Sequence, residues 1–156
     1  MPDRRCHCHL RPATAADGQS IKSMVRQAQL NPLGLDRQRF TVAVDGDDHI
    51  IGCVQIKPHC DGSRELASLV VAPECRQQGV GGLLVQHAMN EAGPPLWLMC
   101  RLSLTRYYRQ FGFRKVKDGA RMPPYFRRIF YVLTLVYRLL RRDMALAIMV
   151  WSETEA

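Results

Sequence analysis

Two hydrophobic rhythms run through the chain, one of period two and one near 3.6 residues, and their succession predicts the elements. Thr14-x-x-Asp17 has the form of a capping box with Asp at its far end, and Ile21, Met24, Val25 and Ala28 follow at helical spacing. A first helix is therefore expected near 15–29. Asn31-Pro32-Leu33-Gly34-Leu35 breaks it, and a short helical turn is expected from Arg37 to Phe40. Two β-rich runs, 40–44 and 49–57, flank Asp45-Gly46-Asp47-Asp48 and predict a hairpin. After a turn at Asp61-Gly62-Ser63, Arg64 to Val71 reads as the central strand. Val80, Leu83, Leu84 and Ala88 mark a helix over 80–92, ended by Gly93-Pro94-Pro95. Leu96 to Cys100 is continuously apolar, as suits a strand buried on both faces. A short helix over 103–110 and a strand over 113–116 follow. The order implies a mixed sheet flanked by helices, an α/β (α+β) arrangement.

The segment from Ser68 to Leu84 carries the first chemical signal. A β-type stretch turns through Pro73 into Arg76-Gln77-Gln78-Gly79-Val80-Gly81-Gly82, where a helix opens. Glycines at 79, 81 and 82 let the backbone approach an anion, and the first N–H groups of the helix have no intrahelical partner. Such a terminus favours a phosphate. Two phosphate motifs are excluded, since no Gly-Lys-Ser/Thr ends the loop and residue 84 of a Gly-x-Gly-x-x-Gly reading is leucine.

The spacing Arg76-x-x-Gly79-x-Gly81 resembles the Arg/Gln-x-x-Gly-x-Gly/Ala signature of the GNAT superfamily of acyl-CoA-dependent N-acyltransferases. Leu10-Arg11-Pro12-Ala13-Thr14-Ala15-Ala16-Asp17 is similar to the first strand and helix start of that family, and Tyr107-Tyr108-Arg109-Gln110-Phe111-Gly112-Phe113 to its Phe-Tyr-x-x-Leu-Gly-Phe segment. The resemblance spans about residues 7–116, with a last strand at 144–151. It implies a mostly antiparallel central sheet, acetyl-CoA as co-substrate, and an N-acetyltransferase acting by direct attack of a primary amine on the thioester. By the same resemblance, backbone amides near Leu69, Val70 and Val71 would meet the thioester and pantetheine arm, and Arg76, Gln77, Gln78, Gly79, Val80, Gly81 and Gly82 would hold the pyrophosphate. The family match places its acid at Tyr108, whose phenol is also a natural donor to a departing thiolate. Glu65, eleven residues before Arg76, stands where some members carry a glutamate base. His49 and His59 are poorer bases, each at a hairpin end. Arg101 departs from the pattern, since the family often has Asn seven residues before the tyrosine.

At 156 residues and 47% hydrophobic content the chain suits one domain, 1–156. Its six cysteines form no framework and Arg4 and Arg5 precede no apolar signal, so a cytoplasmic protein with reduced thiols is expected. Cys6-His7-Cys8-His9 offers four ligand types, but on a strand alternate side chains diverge, and no metal is expected.

Charge changes the picture most in the last third. Arg101 to Arg142 holds twelve basic residues against Asp118, a net of +11 in a chain whose total is +8. Within it an insertion at about 122–143 contains Tyr125 to Arg142, eighteen residues without Gly or Pro, which predicts a helix absent from the family pattern. Its apolar arc covers about 220°, wider than one-sided packing needs, with Arg127, Arg138, Arg141 and Arg142 on one stripe. The apolar run 129–137 is too short to span a bilayer. A homodimer through 125–142 is expected in preference to a membrane surface or nucleic acid, with peripheral membrane attachment left open. The acceptor, small molecule or protein, is not identified by the sequence. The competing functional readings are a catalytically silent acyl-CoA sensor or interaction module, and a membrane- or nucleic-acid-binding protein using the basic third.

Overall fold

Residues 7–143 and 145–153 are described by the structure, a computed structural model. Cys6 of the Cys-His run and Met144 at the start of the expected last strand lie outside them. In chain order the elements are β1 (His9–Pro12), α1 (Gly18–Gln27), β2 (Phe40–Val44), β3 (Ile50–Pro58), β4 (Arg64–Val71), α2 (Val80–Ala92), β5 (Leu96–Arg101), α3 (Thr105–Arg109), β6 (Arg114–Lys115), α4 (Pro124–Leu139) and β7 (Leu146–Trp151). Short 3-10 turns precede α1, β2, α2, α3 and α4. The strands follow the order β1-β2-β3-β4-β5-β7-β6. Pairing is parallel between β4 and β5, at Glu65 opposite Trp97, and antiparallel in β1–β2, β2–β3, β5–β7 and β6–β7. The expected order and mixed, mostly antiparallel sheet are both found. No helix among the described residues is long and apolar enough to cross a membrane.

The chain divides into two compact units. One runs to Ile56 and includes Leu66–Glu91, and the other comprises Lys57–Glu65 and the chain from Ala92 on. In the first, the capping box forms as expected: the Thr14 N–H and hydroxyl donate to Asp17 Oδ2 at 2.6 and 2.9 Å. Arg11 grips the same carboxylate through Nη1 and Nη2 at 2.7 and 3.2 Å, which holds Asp17 well below the usual carboxylate range. Ile21 and Val25 of α1 then pack with Phe40, Val42, Val44, Cys53 and Val70. Gly52 on β3 admits α2 closely, since a Cβ there would stand 3.0 Å from Leu84 Cδ1 and 3.1 Å from the Val70 carbonyl oxygen.

In the second unit the core is Trp97, Met122, Phe126 and Ile148, with the Trp97 and Phe126 rings 5.4 Å apart. Pro124 begins α4 where a missing N–H costs nothing. The helix ends at Leu139, short of the expected Arg142, because Arg141 adopts the left-handed conformation (φ 50°) and the Arg142 N–H turns back to the Tyr137 carbonyl. Phe126 is buried and Ile129, Phe130, Leu133 and Tyr137 are half-buried, whereas Val132, Leu135, Val136 and Leu139 face solvent.

Candidate active site

The glycine loop lies wholly in the first unit. Beyond β4, the Ala72 N–H donates to the Ile51 carbonyl at 2.8 Å, and the chain passes through a 3-10 turn at Pro73–Cys75. Gln77 and Gly79 both take positive φ, 60° and 86°, separated by one residue. Alternation of this kind turns successive N–H groups to one side and makes an anion-binding concavity. A Cβ on Gly79 would meet nothing within 4 Å, so glycine is needed there for conformation rather than for space. The Leu83 N–H is bonded to the Gly79 carbonyl at 3.0 Å and begins the α2 ladder. The amides of Val80, Gly81 and Gly82 therefore precede that ladder, at the positive end of a thirteen-residue helix. Arg76 Nε holds the Val71 carbonyl at 3.1 Å and Gln78 Nε2 the Glu74 carbonyl at 2.9 Å, which ties the loop to its own strand and turn.

Upstream in β4, Ser68 has φ 55°, which interrupts the strand just before Leu69, Val70 and Val71. Gln55 of β3 is fully buried and donates from Nε2 to Ser68 Oγ at 2.9 Å. Its other atom, Oε1, is buried without a hydrogen-bond partner. An unsatisfied buried acceptor is costly and awaits a donor.

The titratable candidates Glu65 and Tyr108 lie in the second unit. Glu65, the second residue of β4, is buried, and its Oε2 lies 2.9 Å from His59 Nε2. Burial pushes the carboxyl above its ordinary pKa, a rise partly offset by the hydrogen bond to His59 and the charge of Lys57. The His59 ring packs on the start of α4: Tyr125 stacks on it at 3.5 Å and Phe126 meets it edge-on at 5.6 Å. The Tyr125 N–H donates to Asp61 Oδ2 at 2.8 Å, so the β3–β4 turn and the first turn of α4 are tied together. Asp61 also accepts from the Ser63 N–H and hydroxyl, and these bonds lower its pKa to about 2.

Tyr108 lies on α3 and is buried, its ring edge-on to Tyr107 and Phe113 at 5.2 and 5.9 Å. Burial, with Cys100 and Tyr107 nearby, drives its phenol far above the ordinary value and keeps it protonated. Cys100, on β5, is itself pushed up to about 11 by burial. Tyr107 meets Phe111 edge-on at 5.3 Å, in keeping with a packing role. Arg101, the departure from the family pattern, ends β5 and is exposed.

His59 is the group that sequence reasoning passed over. Its backbone closes the hairpin turn, with the His59 N–H on the Ser63 carbonyl at 2.9 Å. Counting outward from that pair puts Lys57 opposite Glu65 and His59 on the same face, diagonal to the carboxylate. That register was the available signal. Tyr125, from an insertion, had none.

An "Acetyltransferase (GNAT) domain" family model matches residues 36–115. Mycothiol acetyltransferase of Rhodococcus opacus is 32% identical over 123 residues, covering 71% of this chain and 40% of the relative. The same enzyme of Rhodococcus jostii is 36% identical over 85 residues, 54% of this chain and 28% of the relative. The chain thus spans well under half the length of these relatives. Among solved structures, a Mycobacterium tuberculosis protein in complex with CoA superposes with TM-score 0.71 at 18% identity, over 92% of this chain and 98% of that one. N-acetylglutamate synthase of Neisseria gonorrhoeae, complexed with coenzyme A and N-acetyl-glutamate, gives 0.70 at 20% identity, over 92% of this chain and 34% of that one.

Proposed function

The chain belongs to the GNAT acetyltransferase family, and we propose that it transfers the acetyl group of acetyl-CoA to a primary amine by direct attack on the thioester carbonyl. The observation that carries the reading is the alternating left-handed backbone at Gln77 and Gly79 feeding the free amides of Val80, Gly81 and Gly82. In this reading Gly81 and Gly82 put no side chain in front of those amides, and Arg76 adds a cation. In this reading these residues hold the pyrophosphate, and the amides near Leu69, Val70 and Val71, beside the interruption at Ser68, receive the thioester end.

The acceptor must reach the carbonyl as a free base. An alkylamine with a pKa of about 10.4 is almost wholly protonated at neutral pH. Glu65 takes that proton, directly or through water. Its raised pKa suits the task, because a base works best when its pKa approaches the working pH. His59 occupies Oε2 and leaves Oε1 for the amine. As nitrogen bonds to carbon, charge builds on the former carbonyl oxygen, which backbone N–H groups of β4 stabilise. Collapse breaks the carbon–sulfur bond, and the Tyr108 hydroxyl donates toward the departing thiolate. A phenol of high pKa holds its proton until that charge appears.

An amine panel assayed by acceptor-dependent thiol release tests the reading. The panel includes polyamines, amino acids, peptide N-termini and the acceptor of the mycothiol acetyltransferases, whose names motivate its inclusion. Release of CoA with one class of amine is the expected result. Tight acetyl-CoA binding with no release for any amine would replace it with the silent acyl-CoA sensor.

A further inference from the structure

Val132, Leu135, Val136 and Leu139 recur on α4 at the spacing of one helical stripe, and this stripe faces water, with Leu135 57% and Leu139 73% exposed. It is distinct from the packed side that carries Phe126, Phe130, Leu133 and Tyr137. Arginines stand near both of its ends. Arg128 comes four residues before Val132 and seven before Leu135 on the same line, and Arg141 and Arg142 follow where the chain turns back just past the end of the helix at Leu139. Arg127 and Arg138 line one flank, and no carboxylate occurs between Pro124 and Arg142.

We propose that this stripe lies in the plane of an anionic lipid surface, its four apolar side chains beneath the headgroups and Arg128 and Arg142 reaching the lipid phosphates. The position of the arginines decides against a second copy. Antiparallel pairing of two stripes brings Arg128 to the Arg141–Arg142 end of the other copy, and parallel pairing sets Arg128 against itself, with no acid on either helix to neutralise it. A dry helix contact would strip water from guanidinium groups left unpaired. At a lipid surface the same positions are favourable, since the long arginine stems lie along apolar surface while the charge stays at the headgroups. The net charge of +11 over Arg101 to Arg142 complements an anionic leaflet. A nucleic acid would engage the arginines and leave the apolar stripe in water. The helix, of sixteen residues, is too short to cross and lies flat. The proposal puts a lipid surface ahead of the homodimer through 125–142 that the sequence led one to expect. This inference stands independently of the acetyl-transfer reading.

Co-sedimentation of the full chain with vesicles decides it. Binding is expected to vesicles of equal parts phosphatidylcholine and phosphatidylserine and not to pure phosphatidylcholine, with release by added salt. Leu135→Ser with Leu139→Ser, and separately Arg128→Gln with Arg142→Gln, should each weaken binding about tenfold or more. Both double variants should keep the wild-type melting transition and thiol-release rate, because these side chains face solvent. Equal binding to both vesicle types, or to neither, overturns the proposal. So does a wild-type dimer in light-scattering chromatography that the leucine variants turn to monomer, which would make a second copy the occupant. Salt-sensitive binding to a DNA duplex that ignores the leucine substitutions, without vesicle binding, would point to nucleic acid instead.

Discussion

The glycine loop and the His59–Glu65 cluster, proposed for binding and for chemistry, are built of opposite materials. The loop uses backbone: its donors are N–H groups, and its side chains chiefly brace it, as Arg76 and Gln78 do on neighbouring carbonyls. The cluster uses side chains gathered from a hairpin turn, a strand and an inserted helix, and although His59 and Glu65 are close in sequence, the helix that packs on them comes from far along the chain. A backbone site is specified by conformation and so depends on a few glycines at fixed spacing. A side-chain site is specified by register and docking, and it depends on elements far apart in the chain.

The difference can be broken first at the loop. Gly81→Glu places a carboxylate where the pyrophosphate is proposed to sit, and acetyl-CoA affinity should fall by about two orders of magnitude or more in a protein with unchanged circular dichroism. Unchanged affinity by calorimetric titration would remove the cradle from this segment. The cluster should respond in rate rather than in affinity. Glu65→Gln is expected to lower kcat/KM by about 10²- to 10⁴-fold and to leave acetyl-CoA binding intact. A mutant with wild-type turnover would take the base away from Glu65. Tyr108→Phe keeps the ring packed against Phe113 and removes only the donor, so turnover should drop about a hundredfold on an acceptor for which chemistry limits. If it does not, the phenol serves only packing.

The finest test separates support from chemistry within the cluster. Glu65 must be ionised to act, so activity is lost as pH falls through its raised pKa. The hydrogen bond from His59 opposes that rise. His59→Ala should therefore move the acidic limb of kcat/KM to higher pH by about one unit, with the alkaline plateau little changed. His59→Gln keeps an N–H donor and should move it less. An acidic limb that stays in place in both variants would show that the histidine only fills space.

The same contrast explains what could be read from the chain. The central strand at 64–71 and the helix at 80–92 fall where periodicity and turn residues put them, because each is set by short-range pattern. The Arg76–Gly82 segment was legible for the same reason. Glu65 was reached only through resemblance, and its burial depends on neighbours that no local window contains. His59 was set aside as a hairpin-end residue, since nothing near it in sequence announces that Tyr125, 66 positions later, will stack on its ring. For α4 the excess of apolar surface was plain, but which side the core would cover was not. Phe126 settles that by inserting against Trp97, which leaves Leu135 and Leu139 outside.

Gly52 acts through what it lacks. Added volume there is confronted by Leu84 Cδ1, the Val70 carbonyl and Val80 Cγ1, all between 3.0 and 3.3 Å from where a methyl would begin. Two of those three atoms belong to the helix whose N-terminus is the proposed phosphate anchor, and the third to the strand that leads into its loop. A single hydrogen atom in place of a side chain thus works as a spacer gauge. It sets to a few tenths of an ångström how near the anchor's helix can come to the strand beneath it, and it makes position 52 sensitive to size before it is sensitive to polarity.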